Sequence, residues 1–320
     1  MDKKQKGSVL IICLFIIFFL SALSLIISSA IRTKIKITRR YQQKQKLFYQ
    51  AHAVLNQAIL ELEKDRLRNK SDSFHDFWFQ EFQKKDGQLK KINFPDNNSE
   101  EILNVKIIDE QSKINVNNAS LDMIKSITLI LGKKINNDFA KNMLNYRNNV
   151  LGNRKIVSVW QLRQMNIMED GVFLGEDTND NGRLDPEEDD ANNSYPADNG
   201  DGILDLGVKD FFTVYSNGKI NINTASMSVL KSMPEMSEEI AEAVVKARAE
   251  KVFEKIEDLK ELSFITNELY QNIAQWAVVS SNVFKISVTA WLEEDKIQKQ
   301  IIAVVDRSYT PMKILYWQEI

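Results

Sequence analysis

Residues 8–31 (SVLIICLFIIFFLSALSLIISSAI) contain no charged side chain. A helix of that length, at about 1.5 Å per residue, is long enough to cross a hydrocarbon core of about 30 Å. Lys3, Lys4 and Lys6 precede the run, and Arg32, Lys34, Lys36, Arg39 and Arg40 follow it. Positive charge at both ends leaves the positive-inside rule ambiguous, but the short basic leader favours an N-terminus in the cytoplasm. The run is too long for the apolar region of a cleaved secretory signal, and no A-x-A site follows it. A plain signal anchor fits these facts.

The helix need not stop at the membrane. Pro95 is the first proline, and no glycine lies between Gly7 and Gly87. One helix is therefore expected from Ser8 to about Leu67. Past the apolar run, Leu47, Ala51, Val54, Ala58 and Leu62 recur in steps of 4, 3, 4 and 4, a stripe that needs a partner surface. His52 lies among them and reads as structural; Cys13, in the apolar run, reads as a small buried hydrophobe. The 320 residues suggest about two domains at roughly 150 residues each. Forty-two Lys and Arg against 44 Asp and Glu give a net charge of −2, so no global field points to nucleic acid. A single cysteine excludes an intrachain disulfide framework, and two histidines supply little for metal or triad chemistry. No phosphate-binding loop, G-x-S-x-G or H-E-x-x-H occurs, so no catalytic residues and no enzymatic activity are expected.

The middle of the chain repeats itself. Ile114-Asn115-Val116-Asn117-Asn118-Ala119-Ser120 is echoed by Ile220-Asn221-Ile222-Asn223-Thr224-Ala225-Ser226. Each copy ends in a helix-capping residue and runs into an apolar-periodic segment: Leu121, Ile124 and Ile127 in the first, Met227, Leu230 and Met233 in the second. The second copy continues as a sequence that resembles a helix-hairpin-helix unit, and the first as a looser version of it. Such units often bind DNA backbones through a Gly-containing hairpin aided by Lys. The second hairpin, Met233 to Glu239, has no Gly and three Glu; the first keeps Gly132, Lys133 and Lys134. A structural or protein-binding role is the reading for both, and DNA is not an expected partner.

Residues 177–188 match D-x-[DN]-x-[DN]-G-x5-E at every defined position. Asp177, Asn179 and Asn181 present oxygens around a turn that Gly182 permits. Arg183 supplies its backbone carbonyl, Asp185 binds directly or through water, and Glu188 closes the shell with two oxygens. An oxygen-only set selects Ca2+. No helix is evident on either side, so a calcium-stapled loop is expected rather than a sensor. A degenerate second loop offers Asp198, Asp201 and Asp205. From Glu176 to Asp205 eleven Asp and Glu face one Arg; without metal, this charge repels itself.

Ile102–Ile108 and Phe211–Tyr215 read as strands, and the runs from Phe284, Ile297 and Lys313 as three more joined by short polar turns. These features carry a resemblance. Lys6-Gly7-Ser8 is similar to the processing site of type IV pilins and pseudopilins, where a membrane prepilin peptidase cuts after the Gly. Cleavage between Gly7 and Ser8 leaves 313 residues. Most pilins carry Glu as the fifth mature residue; here it is Ile12, a departure typical of the large minor pseudopilin, component K of the type II (general) secretion pathway. The twin INxNxAS segments resemble the boundaries of that component's inserted domain. The resemblance implies an α+β, pilin-like fold: leader 1–7, transmembrane helix 8–31, pilin-like domain over 32–112 and 211–320, and an all-α domain with calcium loops over 113–210 and 220–280. It also implies inner-membrane anchoring by a single pass, an extracytoplasmic C-terminal part, methylation, and assembly with other minor pseudopilins and the major pseudopilin at a filament tip. Two other readings remain open: a membrane-anchored DNA-binding protein for DNA uptake, and a minor pilin of a type IV pilus.

Overall fold

The computed structural model describes residues 5–82, 101–131, 138–152, 154–165, 168, 170–177, 184, 188, 202, 204–292 and 297–320. One helix, α1, runs Gln5–Arg68 without a break. Its apolar run is exposed on all sides in the isolated chain, as expected of a surface that a bilayer covers. Beyond it the stripe read from the sequence is buried: Leu47, Ala51, Val54, Ala58 and Leu62, joined by Leu55, are at most 2% exposed. A short helix, α2 (Phe77–Phe82), follows.

The stripe packs on an antiparallel sheet of β1 (Glu101–Asp109), β6 (Val283–Leu292), β7 (Ile297–Asp306) and β8 (Lys313–Glu319), in the spatial order β1-β6-β7-β8. Alternation sets the register. Leu103, Val105 and Ile107 of β1, Phe284, Ile286, Val288 and Ala290 of β6, and Ile301, Ala303 and Val305 of β7 join one core with α1 and with Trp78 of α2. Glu101 lies opposite Leu292, and Asp109 opposite Phe284.

β1 and β6 are neighbours in space, yet between them the chain builds a second body with its own core. This body contains β2 (Ile114–Asn115), α3 (Leu121–Leu131), α4 (Phe139–Asn145), α5 (Asp170–Leu174), α6 (Val208–Phe211) and β3 (Phe212–Thr213). It continues with β4 (Ile220–Asn221), α7 (Met227–Ser232), α8 (Glu238–Glu250), α9 (Asn267–Ala274) and β5 (Ala277–Val278). Two short parallel pairs close it, β2 with β3 and β4 with β5. The expected strand over Phe211–Tyr215 is corrected here. Phe211 ends a helix, and only Phe212–Thr213 is extended, pairing with β2 rather than with the large sheet. Both phenylalanines are buried in the helical body's core, and that packing overrides the β-rich composition.

Candidate functional site

The two INxNxAS copies fold into the same device. In each, the first Asn caps its own turn: Asn117 N donates to Asn115 Oδ1 (2.9 Å), and Asn223 N to Asn221 Oδ1 (3.0 Å). The second Asn clasps a distant backbone with both ends of its amide. Asn117 Nδ2 donates to Ile156 O (3.0 Å) while Ile156 N donates to Asn117 Oδ1 (2.9 Å). Asn223 does the same with Phe253, at 2.9 and 3.1 Å. The Ser caps the next helix: Ser120 Oγ accepts from Met123 N and Ser226 Oγ from Val229 N, both at 3.2 Å.

An arginine completes each device, and sequence reasoning missed both. Arg147 Nη1 donates to Val116 O (3.0 Å) and Ala119 O (2.8 Å); Arg248 Nη1 donates to Ile222 O (2.6 Å) and Ala225 O (2.7 Å). Burial lowers both guanidinium pKa values, that of Arg248 to about 10. The signal was available as one Arg 30 residues after Asn117 and one 25 after Asn223. Asn117→Ala is expected to lower stability by about 1–2 kcal/mol, because it leaves the Ile156 backbone unpaired. A shift in the urea unfolding midpoint worth less than about 0.5 kcal/mol would show that the clasp contributes nothing.

Asn221 also ties the helical body to the sheet. Its amide donates to Asp72 O (3.2 Å), Asp109 Oδ2 (3.1 Å) and Ser281 Oγ (2.9 Å). Asp109 Oδ2, at the end of β1, accepts in addition from Ser281 Oγ (2.6 Å) and Thr224 Oγ1 (2.5 Å). Below lies Arg307, 4% exposed. It grips both oxygens of Asp72, reaches Asp65 Oδ2 at 3.2 Å, and donates to Ser281 O at 2.8 Å. Asp65, Asp72 and Asp76 bring carboxylate oxygens within 4.8 Å of one another, a spacing that suits a cation. In this fold the guanidinium answers two of the three. Burial raises the Asp72 carboxyl to about 7 against the pull of Arg307, raises Asp76 to about 6, and pushes Asp109 up as well.

The acidic loop is clipped at its neck. Glu176 N donates to Asp205 O (2.9 Å) and Asp205 N to Glu176 Oε2 (2.7 Å). Gly175 (φ 66°) and Gly207 meet backbone to backbone, so that a Cβ on either would lie 2.3 Å from the other's nitrogen. Asp177 and Glu188, the first and last ligand positions, are 2% and 5% exposed. Asn179, Asn181, Arg183 and Asp185, and Asp198 and Asp201 of the second loop, lie outside the described residues; Asp205 is at the neck. Lys106 of β1 reaches Asp177 Oδ2 at 3.3 Å. On the same face of β1, the buried Asn104 Oδ1 has no hydrogen-bond partner. Two of the loop's carboxylates, Asp177 and Glu188, are thus withdrawn from water, and an ammonium already meets one of them.

The hairpin between α7 and α8 turns at Glu235, whose φ is 63°. Glu238 and Glu239 open α8, where a phosphate would have to bind. Gly132, Lys133 and Lys134 of the first hairpin lie outside the described residues.

A long apolar helix, an antiparallel sheet on its outer stretch and an inserted helical domain define a pseudopilin-like α+β fold. A helix-hairpin-helix motif model matches residues 216–278, the second of the two devices. A chain in the crystal structure of the GspK-GspI-GspJ complex, from the type 2 secretion system of enterotoxigenic Escherichia coli, is similar with a TM-score of 0.53 and 13% identity. The likeness covers 88% of this chain and 99% of that one. No curated protein matches.

Proposed function

We propose that this chain is a large minor pseudopilin of the component K type, an assembly protein rather than an enzyme. In this reading it caps the tip of a type II secretion pseudopilus and primes its polymerisation. One observation carries the reading: a second body with its own core, residues 110–282, is inserted between adjacent strands of a pilin-like sheet. A subunit that wide does not stack within a thin filament, but it fits at an end. The missing carboxylate at Ile12 agrees, since a tip subunit has no neighbour above it whose amine needs pairing. The helix crosses the inner membrane once, with its N-terminus in the cytoplasm and the sheet and helical body outside.

Ca2+, held by Asp177, Asn179, Asn181, the Arg183 carbonyl, Asp185 and Glu188, neutralises the acidic loop and fixes it on the neck at Gly175 and Gly207. Asp198, Asp201 and Asp205 offer a second, weaker set. Prepilin peptidase removes residues 1–7, so Gly7→Ala is expected to retain the leader. Intact mass of the membrane-extracted protein checks this, and an N-terminus at Ser8 in the variant would contradict it.

Affinity purification from native membranes in calcium tests the function. Recovery of smaller single-pass proteins with the same basic-leader-Gly start supports the tip complex. Recovery of DNA-uptake channel or nuclease subunits overturns it in favour of DNA handling, which the acidic hairpin at Glu235, Glu238 and Glu239 already disfavours.

A further inference from the structure

We propose that the segment Arg32–Arg40 binds the anionic headgroups of phospholipids at the bilayer face where α1 leaves the apolar run. Five of its nine residues are basic: Arg32, Lys34, Lys36, Arg39 and Arg40. Asp2 and Glu61 are consecutive carboxylates in the sequence, so nothing on this stretch of helix offsets the charge. All nine residues are exposed, and among the described residues none of the five basic ones forms an ion pair. From Val9 onward the first buried residue of α1 is Leu47, so the sheet does not cover the segment.

Position supplies the partner. The helix is continuous from the apolar run, so Arg32 stands at the edge of the hydrocarbon and Arg40 about 12 Å further along the axis. The headgroup layer is roughly 5–8 Å deep on each side. Every Cα–Cβ bond of a helix tilts toward its N-terminus, which here is the membrane side, so the long Arg39 and Arg40 side chains lean back to the lipid. On the helical wheel, Arg32, Lys36, Arg39 and Arg40 fall within about 100°, giving one charged face with Lys34 opposite. The geometry holds whichever way the helix crosses. In the orientation proposed above the segment is extracytoplasmic, where basic residues next to a span oppose the usual bias. Phosphate-bearing lipid is the ligand that this position at the bilayer edge brings to the segment.

The test uses the full chain, extracted and purified in mild detergent from its own membranes, with co-purified lipid quantified by mass spectrometry. Phosphatidylglycerol and cardiolipin are expected to be enriched about tenfold over phosphatidylethanolamine relative to the bulk membrane, given the attraction of each basic residue near an anionic surface. The enrichment should shrink as ionic strength rises. It should vanish in the variant with Arg32, Lys34, Lys36, Arg39 and Arg40 all changed to Gln, and persist when Lys and Arg are exchanged at the five positions. The Lys34→Gln/Lys36→Gln pair, expected to lose part of the enrichment, serves if the five-fold variant does not accumulate. Equal lipid content in wild type and Gln variant overturns the proposal. So does displacement by excess inorganic phosphate, which would make this a site for free anions, or an acidic protein held there in place of lipid. Neither result bears on whether the chain caps a pseudopilus.

Discussion

Arg307→Met is expected to lower the unfolding free energy by about 3–5 kcal/mol, the range seen when one partner of a buried ion pair is removed. The side chain is 4% exposed, and the change strands two carboxylates, Asp65 at 5% and Asp72 at 0% exposure. It also removes the donor to Ser281 O, where the chain returns from the helical body to β6. The pH dependence carries a second signature. Asp72 and Asp76 hold their protons to about 7 and about 6, against an ordinary 3.8, and Asp109 is raised too. A carboxyl whose folded pKa lies above its unfolded one contributes stability that is full below about pH 4. That contribution is lost as pH rises through the folded value. The wild type should therefore unfold at lower urea at pH 8 than at pH 5. Arg307 is the larger of two influences that hold Asp72 down, the other being the Ser281 backbone N–H, so its loss should steepen the decline over that window. Equal urea midpoints for wild type and variant at pH 8 would show that the buried Arg307 ion pair adds nothing to stability.

Chelation of calcium should have the next largest effect. At a free Ca2+ concentration about 100 times the dissociation constant, binding adds roughly 2.7 kcal/mol to stability. The melting temperature of the full chain in detergent should rise by several degrees with Ca2+ and much less with Mg2+, which demands tighter octahedral geometry. Glu188→Gln should abolish most of the rise, because it removes the charge and the two-oxygen grip that close the shell. Lys106→Met should enlarge it, since the ammonium competes for Asp177 Oδ2. A melting temperature indifferent to Ca2+ in the wild type would rule out the site.

Local patterns made the frame legible. The helix Gln5–Arg68, its buried stripe and the strands at Glu101, Val283, Ile297 and Lys313 follow from periodicity and from the absence of Pro and Gly. The repeated INxNxAS segments were visible because each capping role has a fixed local spacing. What those asparagines hold was not visible. Asn223 meets Phe253 and Asn221 meets Asp109, contacts set by the packing of distant segments. The Arg307–Asp72 pair spans 235 residues and leaves no periodic trace. Phe211–Tyr215 was misread because β-rich composition describes a preference for burial as much as for extension. Of the proposed calcium loop, residues 177–188, only Asp177, Leu184 and Glu188 fall among the described residues, together with the neck.

The parallel pairs have a consequence for how such a chain could arise and be altered. Ile114 lies beside Phe212, and Ile220 beside Ala277. Each excursion of the chain thus leaves and returns at one spot, like a loop of thread drawn tight at its base. Lengthening or shortening what hangs from such a base changes closure entropy only logarithmically, and the paired residues stay in register. The second device reads as the first one copied and appended, each copy carrying its own knot of asparagine, arginine and serine. Variation in this lineage should then accumulate as whole hanging units of differing size. The helix and sheet below would meet their neighbours through an unchanged surface.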